Sequence, residues 1–136
     1  MKPRRRKVLL VEDDPLNLEL LQTVLEGHGF AVLVAHSAAR GLELARHEHP
    51  DCILMDVQLP EVDGLTATRQ LRADPATAHI PVVAVTAHVK KEDAQRCLEA
   101  GCVLHLPKPV DTRTLSDIVQ RVIADAAASS PSGGTP

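Results

Sequence analysis

Lys7-Val8-Leu9-Leu10-Val11-Glu12-Asp13-Asp14-Pro15 runs five residues of strand former into three acids and a proline. The apolar run is short and continuous, as in a strand covered on both faces. Pro15 suits a first helical turn, and the helix it opens is expected over Pro15–Glu26 with Gly27 as its stop. Leu16, Leu20, Leu21, Val24 and Leu25 would form its inward stripe. The same alternation continues along the chain. Ala31–Ala35 reads as a strand; Ser37 can cap a helix to about His47, with Ala38, Leu42 and Ala45 inward. Cys52–Met55 is a third strand and Leu65–Leu71 a helix. Val82–Val85 is a fourth strand, and Glu92–Ala100 a helix ending at Gly101. Val103–Leu106 is a fifth strand. Asp111 can cap a last helix, Thr112–Ala126, with Leu115, Ile118, Val119, Val122 and Ile123 on its stripe. Five strand–helix units imply an α/β fold, a doubly wound parallel sheet wrapped by right-handed crossovers.

The 136 residues are enough for one domain with a real core. This reading places a basic tail at 1–6, one domain at 7–126 and a Ser/Pro/Gly-rich flexible tail or linker at 127–136. No apolar run reaches the ~18 residues of a membrane span, so no membrane insertion is expected. A net charge of −3 opposes direct nucleic-acid binding, which demands a basic face. The three cysteines have no metal-type spacing and leave one unpaired, which fits a reducing cytoplasm. No Trp or Tyr and one Phe leave nothing to stack on a flavin or a splayed base.

Ligands of an open parallel sheet bind beyond the carboxyl ends of its strands. There this chain places Glu12-Asp13-Asp14, Asp56, Thr86 and, after Leu106-Pro107, Lys108. Singly, each has an ordinary explanation: a helix cap, a β-branched strand end, a solvated loop charge. Together the carboxylates would repel one another unless a cation joined them. Oxygen ligands and water are what Mg²⁺ prefers, and Mg²⁺ with an ammonium and a hydroxyl suits phosphoryl transfer to a carboxylate.

On these residues the chain resembles the receiver domains of two-component response regulators. Val8-Leu9-Leu10-Val11-Glu12-Asp13-Asp14 is similar to their acidic-pair strand. Met55-Asp56-Val57-Gln58-Leu59-Pro60-Glu61-Val62-Asp63-Gly64 is similar to their phosphoacceptor loop, and Val83-Ala84-Val85-Thr86-Ala87 and Leu106-Pro107-Lys108-Pro109 to their Thr and Lys motifs. The resemblance implies a flavodoxin-like (βα)5 fold with strand order 2-1-3-4-5. It implies Asp56 as phosphoacceptor, and Glu12 and Asp13 as the acidic pair. Mg²⁺ would be held by this pair, Asp56 and the backbone carbonyl of Gln58, with Asp13 and Asp56 as direct ligands. Thr86 would be the switch hydroxyl and Lys108 the phosphoryl's partner, ahead of a cis bond to Pro109. The implied partners are a sensor histidine kinase or histidine phosphotransferase and a downstream protein on the face made by the fourth helix, fifth strand and fifth helix. Two departures stand out: His105 occupies the switch position where Tyr or Phe is usual, and Cys102-Val103-Leu104 replaces an Asp pair that often precedes it. His88 sits where receivers tune phosphoryl lifetime, and Asp14 matches a variable position outside the metal site.

The rival readings are a haloacid-dehalogenase-like phosphatase, a flavodoxin-type carrier and a degenerate receiver that never takes phosphate. The phosphatase would carry its nucleophile after the first strand, where this chain has an acidic pair. The carrier would need a hydroxyl-rich phosphate loop there. The degenerate receiver would lack part of the residue set.

Overall fold

The computed structural model describes residues 5–59, 62–87 and 90–128. Its five strands are β1 (Lys7–Val11), β2 (Ala31–Ala35), β3 (Cys52–Asp56), β4 (Val82–Thr86) and β5 (Leu104–Pro107). The helices are α1 (Pro15–Gly27), α2 (Ala38–Glu48), α3 (Gly64–Ala73), α4 (Lys91–Ala100) and α5 (Leu115–Ala128). The strands pair in parallel in the order β2-β1-β3-β4-β5, the expected topology, with β1 and β3 in the middle.

Alternation along the strands divides the core into two layers. On one face Val8, Leu10, Leu54, Val83, Val85 and Leu106 pack with α1 and α5. On the other Leu9, Val11, Ile53, Met55, Val82 and Ala84 pack with α2, α3 and α4. Every residue of β3 and β4 is buried, which is why both runs are apolar without alternation until each reaches its last residue. Those last residues, Asp56 and Thr86, are polar and buried.

Four local expectations change. Leu16 and Leu20 are 76% and 50% exposed, and α1 instead buries Leu18, Leu21 and Leu25. Leucines run round most of this helix, so spacing allowed two stripes, and only docking on the sheet chose between them. The last helix begins at Leu115 rather than Thr112. The Asp111 carboxylate accepts from the Arg113 N–H (2.9 Å) and its guanidinium (3.2 and 3.3 Å), closing a turn ahead of the helix instead of capping it. That helix runs to Ala128, so residues 127 and 128 are helical rather than tail, while 129–136 lie outside the described residues. β5 starts one residue later than expected, although the Val103 N–H already bonds the Val82 carbonyl (2.9 Å). Ser37 does cap α2, accepting from Arg40 N at 3.2 Å, and Gly101 (φ 112) does end α4.

Candidate functional site

Four strand ends build the site. β1 carries Glu12 and Asp13 past its last residue, beside β3, whose register pairs Val11 with Met55 and so sets Asp56 next to the acidic pair. Carboxylate oxygens of Glu12, Asp13 and Asp56 lie within 4.8 Å of one another, with Glu12 and Asp56 buried and Asp13 exposed. Asp14 turns away into the helix, its carboxylate accepting from Leu16 N at 3.1 Å, and takes no part in the cluster. Placing Asp14 outside the metal site agrees with this.

Asp56 is 2% exposed and oriented by two donors on Oδ1: the Gln58 N–H at 2.9 Å and the Lys108 ammonium at 3.0 Å. Lys108 reaches it from the far side of β4 because its own N–H bonds the Thr86 carbonyl (2.9 Å), which ties the β5 exit to the end of β4. The Lys108–Pro109 bond is cis, as expected. Thr86 is buried at 2% exposure one position past Val85, the register partner of Asp56. The Gln58 side chain accepts from Ala87 N at 3.4 Å and links the acceptor loop to the strand bearing Thr86. His105 is half-buried on the edge strand in register with Ala84, and so lies on the α4 side of the sheet. His88, Pro60 and Glu61 lie outside the described residues.

The cluster is electrostatically unfinished. Burial, and then hydrogen bonding with Asp56, holds the Glu12 carboxyl above the ordinary carboxylate range; the Asn17 amide and the Asp14 N–H pull the other way. A carboxyl held above its ordinary range by burial, beside two further carboxylates, is a donor set that fits a divalent cation, since the cation removes both the repulsion and the desolvation cost.

Two supports escaped the sequence. The Asn17 amide donates to Glu12 Oε1 at 2.6 Å, with the Asp14 N–H on Oε2 at 3.1 Å, so the first turn of α1 fixes the inner acid. A polar residue among the leucines at the start of α1 was the available signal. Gly64, first residue of α3, is the other: a Cβ there would stand 2.2 Å from the Asp56 carbonyl oxygen and 2.9 Å from Met55 Cγ.

The family model for the response regulator receiver domain matches residues 8–120. The chain belongs to the response regulator receiver family. It is 40% identical over 121 residues to the polar-differentiation response regulator DivK of Brucella ovis, covering 89% of this chain and 98% of that one. The receiver domain of the sensor histidine kinase PA1611 from Pseudomonas aeruginosa, solved with a magnesium ion in its active-site cleft, superposes with a TM-score of 0.82. It is 35% identical, over 89% of this chain and 99% of that chain. The chemotaxis protein CheY4 of Vibrio cholerae gives 0.83 at 26% identity, over 88% and 99%. This receiver is thus a signalling domain of the two-component type, with a buried acidic cluster compatible with Mg²⁺ and phosphorylation. The candidate acceptor follows the third strand, not the first, which separates it from the phosphatase reading. Among the described residues no helix is long and apolar enough to cross a membrane.

Proposed function

We propose that this receiver accepts a phosphoryl group on Asp56 from a sensor histidine kinase or histidine phosphotransferase and relays it by changing a protein-binding surface. The observation that carries the reading is Asp56 itself: a buried carboxylate fixed on one oxygen by Lys108 and Gln58 and flanked by Glu12 and Asp13.

Glu12, Asp13, Asp56 and the Gln58 backbone carbonyl would hold Mg²⁺, which when bound neutralises charge on the phosphoryl oxygens. The Asp56 carboxylate attacks phosphorus as the donor's phosphorus–nitrogen bond breaks, leaving a neutral imidazole on the donor. The Lys108 ammonium, already beside Asp56, meets the negative charge carried across by the phosphoryl group. Small phosphodonors serve the same acceptor, and slow attack by water on the acyl phosphate returns Asp56. The product of the transfer is the modified domain itself, whose slow self-dephosphorylation only resets it, so the domain acts as a phosphoacceptor with its own chemistry and not as an enzyme.

The new phosphoryl group carries nearly two negative charges, and the Thr86 hydroxyl donates to it. Drawing Thr86 inward frees space that His105 enters from the edge strand, and the α4–β5–α5 face changes shape for its downstream protein. Three free, buried cysteines support a cytoplasmic setting.

Intact-mass measurement with acetyl phosphate and Mg²⁺ tests the assignment. One phosphoryl group is expected on the wild type, none on Asp56→Asn, and none with a chelator. Equal labelling of the two proteins overturns it.

A further inference from the structure

Away from the carboxylate rim, the reactive side chains gather at the C-terminal end of α4. There the Gly101 N–H bonds the Leu98 carbonyl and the Cys102 N–H bonds the Cys97 carbonyl, each at 3.0 Å, with Gly101 left-handed at φ 112. This pair of bonds is a Schellman motif, whose first and last residues frequently pack side chain against side chain. In this chain those residues are Cys97 and Cys102. Both are buried, at 2% and 4% exposure, in the same apolar layer, where the Cys102 thiol also points to the Thr68 hydroxyl at 3.9 Å. A single backbone hydrogen bond between them leaves their Cα atoms within the roughly 4.4–6.8 Å that a disulfide spans. An apolar pair would pack here without sulfur; two thiols add a chemistry.

We propose that Cys97 and Cys102 are a reversible disulfide site, oxidised by a hydroperoxide when α4 lifts from the sheet. One thiolate attacks the peroxide: a sulfur–oxygen bond forms, the oxygen–oxygen bond breaks, and the leaving oxygen departs protonated as an alcohol, or as water from hydrogen peroxide. The second thiolate attacks the resulting sulfenic acid; the sulfur–sulfur bond forms and the oxygen leaves as water, carrying the released proton. The two sulfurs lose the two electrons that the peroxide gains.

The gate is the helix itself. Of the residues of α4 only Cys97 and Ala100 are buried, against Leu115, Ser116, Val119, Val122 and Ile123 in α5. So few anchors make local opening of α4 cheap relative to global unfolding. Closed, the thiols are protected: burial raises Cys97 and pushes Cys102 up to about 11. Cys52, in the middle of the sheet at 0% exposure and pushed up to about 12, is an internal standard that only global unfolding uncovers. The site does not depend on whether Asp56 takes phosphate.

Folded protein treated with hydrogen peroxide and weighed intact should lose the mass of two hydrogen atoms and regain it with dithiothreitol. Peptide mapping should join residues 97 and 102. Cys52→Ala should keep the bridge and Cys97→Ala should lose it. In untreated wild type, a thiol reagent should label Cys97 and Cys102 at one common rate, roughly tenfold or more above Cys52. A bridge that includes Cys52, only intermolecular disulfides, or one shared rate for all three thiols overturns the proposal.

Discussion

The two ends of the sheet treat their acids in opposite ways. At the carboxyl ends Glu12, Asp13 and Asp56 face one another, and Lys108 is the one ammonium paired with the cluster among the described residues. At the amino ends the acids form no such cluster among the described residues. Asp51 accepts from Lys7 N at 2.8 Å, and Asp74 takes Ala76 N at 2.9 Å and the Arg46 guanidinium at 3.0 Å. The carboxyls respond accordingly: Glu12 is raised, chiefly by burial, and Asp74 is lowered, chiefly by the Ala76 N–H. One end of the domain is arranged for rest and the other is held in tension until charge arrives from outside. The contrast teaches where stability has been yielded to function.

Mg²⁺ should produce the largest effect on that contrast. At a hundred times its dissociation constant it should raise unfolding free energy by about 2.7 kcal/mol. Urea unfolding with metal and with chelator measures this. Asp13→Asn should remove most of the gain; an undiminished gain would place the metal elsewhere.

Without metal, Asp13→Asn should itself stabilise the protein at neutral pH, by on the order of 1 kcal/mol, since it removes one of three like charges. The pH dependence of the chelated wild type has a definite sign. Glu12 binds its proton more tightly folded than unfolded, so its favourable contribution is full below the unfolded value of 4.5 and is lost as pH rises through the raised folded value. The gain from Asp13→Asn should therefore shrink on acidification, as Glu12 takes up its proton. A gain that grows with acid would mean that Glu12 is not the strained member.

The smallest effect belongs to the opposite end. Asp74→Asn should lower the urea midpoint slightly at neutral pH, by less than either shift above. The carboxylate's folded value is depressed below 3.8, so its contribution is present above that and lost as pH falls through the depressed value. Parallel midpoints for wild type and variant across the acid range would erase the difference between the ends.

Much of this was legible in the sequence because strands buried on both faces leave an unbroken apolar run that ends in the functional residue. Val11 before Glu12, Met55 before Asp56 and Val85 before Thr86 are the same sentence written three times. The parallel order and the cis bond before Pro109 came from resemblance, and the structure agrees with both. What escaped lies where sequence distance hides spatial contact. Leucine spacing in α1 fitted two faces, so Leu16 and Leu20 were placed inward when Leu18 is. Asp111 had a local partner in Arg113 that outbid its capping role. The neighbours of Glu12 and Gly64 depend on how helices settle on the sheet, which no periodicity reports.

Gly64 carries a consequence for inheritance. It has no side chain to offer a phosphate or a metal, yet any side chain there would push on the carbonyl of the acceptor residue, 2.2 Å from where a Cβ would stand. That oxygen is backbone and cannot swing aside, so the peptide of Asp56 must move or α3 must back away. A genetic screen for silent receivers should therefore recover lesions at this position as readily as at the charged residues. Such a lesion would break the alignment of the relay and leave its chemistry intact.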